Sequence, residues 1–182
     1  MEYLRIKLSG RLMHFSNGKP RWPSLRDTER HPTASTMTGL IACCLGIENK
    51  TKEYEDLRSS LHFYTTIPDY VSILDDYQIV SPKEEGKPVG QGDMMSADGT
   101  WKKDGSSKSQ VHTRFVEDGV FYVLAGCDNA EFLRKIHYAL LHPRWTPYIG
   151  MACCTPSDLL TTEDFIIKDL NEWEKEEEYV CI

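Results

Sequence analysis

The order strand, helix, strands, helix, strand along the chain predicts an α+β fold, an antiparallel sheet with two helices on one side in the ferredoxin-like or RRM-like plan. Two segments repeat apolar residues at helical spacing, and between and around them run short stretches rich in β-branched and aromatic residues. With 182 residues, 40% of them hydrophobic, the chain is long enough to bury one core. Such a fold hosts enzymes and binding modules alike and settles no function by itself.

Each element has its own signal. Tyr3 to Leu8 reads YLRIKL, an alternation that makes a first strand ending at Ser9-Gly10. Arg11 to Pro32 carries Gly18, Pro20, Pro23 and Pro32 and reads as a long ordered loop. Thr33 and Ser35 offer helix caps, and Met37, Leu40, Ile41, Cys44 and Leu45 follow on one helical face up to the stop at Gly46. A short helix spans Glu53 to Ser59, and LHFYTTI, residues 61–67, is a strand broken by Pro68-Asp69. Tyr70 to Leu74 and Gln78 to Val80 flank a turn pair, Asp75-Asp76. Val111 to Val116, Glu117-Asp118-Gly119 and Val120 to Ala125 predict a hairpin. Phe132, Leu133, Ile136, Ala139 and Leu140 predict a helix over 131–141, ended by Pro143. PRWTPYIG, residues 143–150, is a rigid loop, Phe165 to Ile167 a last strand, and Asn171 to Glu178 an acidic helix. The domain division that results is 1–162 as one RRM-like body, with 163–182 as an acidic strand and helix tail.

Charge narrows the function classes. The net charge of −7 argues at first against a phosphate-rich partner, but from Glu163 onward there are eight acids and two bases, so residues 1–162 carry only −1. The first 46 residues hold seven bases, Arg5, Lys7, Arg11, Lys19, Arg21, Arg26 and Arg30, against three acids. A basic front and an acidic tail imply separate partners for the two ends. No run of about 18 apolar residues marks a membrane span, and the charged start lacks a secretory apolar centre, so the expectation is a cytoplasmic protein. Four of the six cysteines are neighbours, Cys43-Cys44 and Cys153-Cys154, and read as reduced packing thiols. No two are spaced for zinc, and the expectation is no metal and no cofactor.

Ser81 to Gln110 stands out: five glycines and Lys83, Lys87, Lys102, Lys103 and Lys108 in a thirty-residue insertion of a kind uncommon without a function. Lysines there would meet phosphates without reading sequence, and glycines let a backbone approach closely.

Four collinear segments, HPTASTMTGLIACCLGI (31–47), SILDD (72–76), HTRFVEDGVFYV (112–123) and PRWTPYIG (143–150), resemble in order and spacing the CasD-type subunits of type I-E Cascade, the CRISPR-associated Cas five family of the RAMP superfamily. The resemblance runs from Tyr3 to about Cys154 and implies a non-catalytic subunit that hooks the 5′ handle of the crRNA. It implies contacts with the backbone and large subunits of the complex and, through them, an indirect relation to target DNA. It also implies a thumb β-hairpin protruding from the RRM-like palm, which falls here at 78–111. Arg114 matches the arginine opening the strand after the thumb and is expected on a phosphate or a splayed base, a surface pair with Glu117 being the plain alternative. Tyr148 matches an aromatic able to stack on a base, Arg144 a phosphate contact, and Gly150 a close-approach position. Ser35 and Thr33 open a helix whose amides could receive a phosphate, though plain capping explains them as well. The chain departs from the family pattern at Met13-His14-Phe15-Ser16, where a glutamine-aromatic-glycine pattern is common, and at Ala34, where a base is frequent and Arg30 could substitute.

The rival reading is a metal-independent endoribonuclease acting on CRISPR repeat RNA, with His31, His112 and Tyr148 as candidates for the base and acid such chemistry needs. A third is a purely protein-binding adaptor, for which the acidic tail speaks.

Overall fold

The first strand is twice as long as its clearest alternation: β1 (Glu2–Met13) runs well past Ser9-Gly10. It does so because it has a long partner, β5 (Ser109–Cys127), with which it pairs antiparallel from Glu2 opposite Cys127 to Met13 opposite Val116. In this computed structural model, residues 1–16, 25–80 and 109–182 are described. They fall into two compact units, one of Met1–Lys19, Thr28–Leu74 and Phe115–Ile182, the other of Pro20–Asp27 and Asp75–Arg114.

Two expected turns are absent. The hairpin centred on Glu117-Asp118-Gly119 is instead one continuous strand: Asp118 alone takes a left-handed φ of 48°, and Gly119 does not follow it. Gly119 is needed for packing rather than for reversal, since a Cβ there would lie 2.5 Å from Met13 Cε and 2.9 Å from the Phe121 ring. Likewise Asp75-Asp76 does not turn the chain but lies inside β4 (Ser72–Val80).

In the larger unit the strands follow the order β6-β1-β5-β3-β7, where β3 is His62–Thr65, β6 is Ile167–Lys168 and β7 is Val180–Cys181. Even-numbered residues of β1, Leu4, Ile6 and Leu8, meet Phe121, Val123 and Ala125 of β5 in the main core. Against these pack α1 (Ala34–Leu45) through Met37, Leu40, Ile41 and Cys44, and α3 (Ala130–Leu141) through Leu133, Ile136 and Leu140. Each such side chain contributes roughly 1.5–3 kcal/mol on leaving water. The smaller helix α2 (Lys52–Ser60) buries only Leu57 and starts on a Thr51 cap. Asn129 caps α3 by accepting from the Glu131 and Phe132 amides.

The other face of the sheet is covered too. Odd residues of β1 point there, and Tyr3 joins Leu124, Trp173 and Tyr179 in a second apolar cluster. The indole Nε1 of Trp173 donates to the Tyr3 carbonyl at 3.0 Å. Burial pushes the Tyr179 phenol up to about 12. The acidic helix expected over 171–178 contracts to α4 (Leu170–Trp173), held by a capping box between Asp169 and Glu172. Beyond it Glu174, Glu176, Glu177 and Glu178 crowd like charges that oppose further helix. Glu176 is drawn onto the sheet by Lys168 and by Arg5, whose Nη1 lies 2.8 Å away, and the Arg5 guanidinium also covers the Trp173 ring at 4.7 Å.

In the smaller unit, β2 (Leu25–Arg26) pairs parallel with β5, Leu25 opposite His112 and Arg26 opposite Thr113; β4 also pairs with β5. The thumb expected over 78–111 falls mostly on residues 81–108, outside the described residues, as do Lys102, Lys103 and Lys108.

Candidate nucleic-acid interface

At the start of α1, Thr33 is the N-cap: its Oγ1 accepts from the Thr36 amide at 3.4 Å and donates to the Ser16 carbonyl at 3.2 Å. Ser35 is not a cap but an exposed residue of the first turn, which holds no acidic side chain. Arg30, also exposed, precedes the helix, and the Phe15 carbonyl accepts from the Glu29 amide at 2.8 Å. The stretch after β1 thus ties the approach to α1 in place.

Gly150 belongs to this same neighbourhood. Its φ is +84°, and a Cβ would lie 1.6 Å from the His14 carbonyl oxygen, while the His14 amide donates to the Ile149 carbonyl at 3.1 Å. The close approach expected at Gly150 is therefore to the chain's own backbone. His14, within the stretch that departs from the family pattern, is buried against Phe115, ring centroids 6.1 Å apart.

Arg144 sits at the other end of α1, a helix about 18 Å long at 1.5 Å per residue, and Tyr148 lies between the two ends, beside Gly39, Ala42 and Cys43. The Arg144 amide donates to the Cys44 carbonyl at 2.9 Å, and its side-chain methylenes lie over Gly46, the left-handed C-cap with φ 78°. A cation here also complements the helix dipole. Tyr148 and Trp145, 41% and 42% exposed, border a cleft of about 230 Å³ floored by Gly39, Ala42 and Cys43. Trp145 is thus partly open to solvent.

Arg114 lies on β5 in the smaller unit. Its Nε donates to Asp75 Oδ1 at 2.7 Å and its Nη1 stands 3.6 Å from Asp27 Oδ1. The pairing with Glu117 is not formed; Glu117 accepts from the Ser72 hydroxyl at 3.2 Å. His112 Nε2 meets the same Asp75 oxygen at 3.0 Å, and the Tyr77 ring stands edge-on to the imidazole at 6.0 Å. Hydrogen bonds from Arg114 and His112 hold the Asp75 carboxyl below the usual carboxylate range.

The sequence reading missed Asp75 and Asp27. The signal was present: His112 and Arg114 at i and i+2 project from one face of a strand, which asks for an acid on a neighbouring strand. The two histidines proposed for nuclease chemistry each have another partner within their own unit. The Nδ1 of His31 lies 3.0 Å from the adjoining Pro32 carbonyl oxygen, and His112 is taken by Asp75. No cluster of three or more metal-binding side chains, and no helix long and apolar enough to cross a membrane, occurs among the described residues.

Comparison with known proteins places this geometry in a family. Residues 3–177 match the family described as CRISPR-associated protein (Cas_Cas5). The chain is 28% identical over 159 residues to the CRISPR system Cascade subunit CasD of Escherichia coli (strain K12), spanning 84% of this chain and 66% of that protein. Among solved structures, a chain of a CRISPR RNA-guided surveillance complex superposes with a TM-score of 0.69 at 22% identity over 87% of this chain and 61% of that one. A crystal structure of a Cas protein superposes with a TM-score of 0.59 at 24% identity over 93% and 68%. These likenesses establish the fold.

Proposed function

Since the chain belongs to the CRISPR-associated protein (Cas_Cas5) family, we propose that it is a non-catalytic Cascade subunit that holds the 5′ handle of the crRNA and touches the backbone and large subunits of the complex. The observation that carries this reading is a division within the resemblance segments: Met37, Leu40, Ile41, Cys44, Phe115, Phe121 and Val123 are buried, whereas Ser35, Arg144 and Tyr148, with Arg30 just ahead of the first segment, stand exposed. Donors and a stacking ring left at the surface are what an unpaired RNA end requires. Arg114 joins them as a cation of the smaller unit, with Thr33 and Gly150 shaping the surface around the start of α1.

Two further features support the finer reading. Taking β1, β3, β5 and β6 as the four strands, their order β6-β1-β5-β3 is the one a ferredoxin-like plan requires. The pairing of β4, which ends at Val80, with β5, which begins at Ser109, suits a hairpin thumb built from the lysine-rich residues between them.

The test is co-purification with the other Cascade subunits and identification of the bound RNA. The expected result is a guide RNA whose 5′ end resists nuclease, with that resistance lost in an Arg114→Glu, Arg144→Glu double variant. Cleavage of repeat RNA by the pure protein in EDTA, abolished by His31→Ala or His112→Ala, would replace this reading by the nuclease.

A further inference from the structure

Arg114 has an acid on each side. In the register of β2 with β5, Leu25 faces His112 and Arg26 faces Thr113, which brings Asp27 level with Arg114; Asp75 approaches from β4. The two contacts differ in kind. Asp75 takes the Nε hydrogen at 2.7 Å, a charge-assisted bond, whereas Asp27 Oδ1 forms a longer ion pair with Nη1 at 3.6 Å.

Fixing Nε fixes the plane of the whole guanidinium, because its donors form one rigid fork. The aspartate itself is held from a second side, since His112 Nε2 shares the same oxygen at 3.0 Å with Tyr77 behind it. The Arg114 side chain remains 37% exposed, so its guanidinium can be reached from solvent. We propose that Asp75 is a positioning residue for RNA binding, orienting the Arg114 guanidinium so that its terminal nitrogens meet a phosphate of the guide, with Asp27 as the contact a phosphate displaces. This rests on Arg114 being an RNA contact, the reading given above.

The experiment compares wild type, Asp75→Asn, Arg114→Ala and the double variant, each assembled with its partner subunits, for affinity toward guide RNA across a salt series. Arg114→Ala should weaken binding and lower the slope of log K against log salt by about 0.7, the value for one phosphate contact on a single strand. Asp75→Asn should weaken binding about tenfold with the same loss of slope, although it removes a negative charge, and should add nothing in the Arg114→Ala background. A general loss of stability would not move the slope. If Asp75→Asn fails to fold, Asp75→Glu takes its place and should keep the wild-type slope. Wild-type or tighter binding by Asp75→Asn alongside weakened Arg114→Ala, additivity in the double variant, or loss of slope in Asp75→Glu overturns the positioning role while the RNA contact stands. Unchanged binding by Arg114→Ala overturns both.

Discussion

Single atoms decide much at two glycines. At Gly150 a methyl group meets the His14 carbonyl oxygen at 1.6 Å in a backbone region L-residues avoid, so Gly150→Ala should cost about 2–4 kcal/mol. The expected fall in melting temperature is roughly 5–12 °C, read by thermal denaturation. Gly39, inside α1, has no heavy atom within 4 Å of a built Cβ, so Gly39→Ala should be neutral or stabilise by up to about 1 kcal/mol. Carboxylates set the acid limit. Asp75, Asp158 and Glu176 are held below the ordinary range by Arg114, Lys7 and Lys168 respectively as first causes. Their folded values lie under their unfolded ones, so the stability they contribute is present above about pH 4 and is lost as pH falls through the lowered values. Acid titration followed by circular dichroism should therefore show a shallower loss of stability below about pH 5 in an Asp75→Asn, Asp158→Asn, Glu176→Gln variant than in wild type.

Among the elements, the C-terminal segment has the clearest energetic role. Trp173 is 2% exposed and seals Tyr3 and Leu124, so Trp173→Ala should destabilise by about 3–5 kcal/mol, measurable by urea unfolding. Glu176→Gln, by contrast, should cost no more than about 1 kcal/mol, since its partners are surface-exposed cations. This difference explains why the segment was hard to read: its acids dominate the composition, while one tryptophan and one tyrosine determine its fate. The helices α1, α2 and α3 were legible to within a residue or so, because their ends are set by local chemistry, as at Thr33 and Gly46. Strands were less so. Asp118-Gly119 and Asp75-Asp76 carry turn residues, yet their roles are set by Met13 in the one case and by Arg114 and His112 in the other, which lie far away in sequence. Of the candidate interface, Arg114 and Tyr148 could be named from a resemblance, but the acids flanking Arg114 belong to other strands and emerge only when those strands pair.

At the scale of the molecule, the dominant pairing joins residues 2–13 to residues 116–127, across more than a hundred positions of chain. Closing so long a loop before any contact rewards it makes folding slow, and refolding by stopped-flow fluorescence should fall in the millisecond-to-second range rather than microseconds. A variant that weakens this seam, such as Val123→Ala, should cost about 1–3 kcal/mol, and should slow refolding if the seam forms in the transition state. In the larger unit, among the described residues, the path of the sheet ends at both sides in strands of two residues, Ile167–Lys168 and Val180–Cys181. Stubs of that length expose almost no ladder of main-chain donors and acceptors for a stray strand to extend. At these two borders, extension of the sheet by a second chain is thereby disfavoured, and association there is left to side chains.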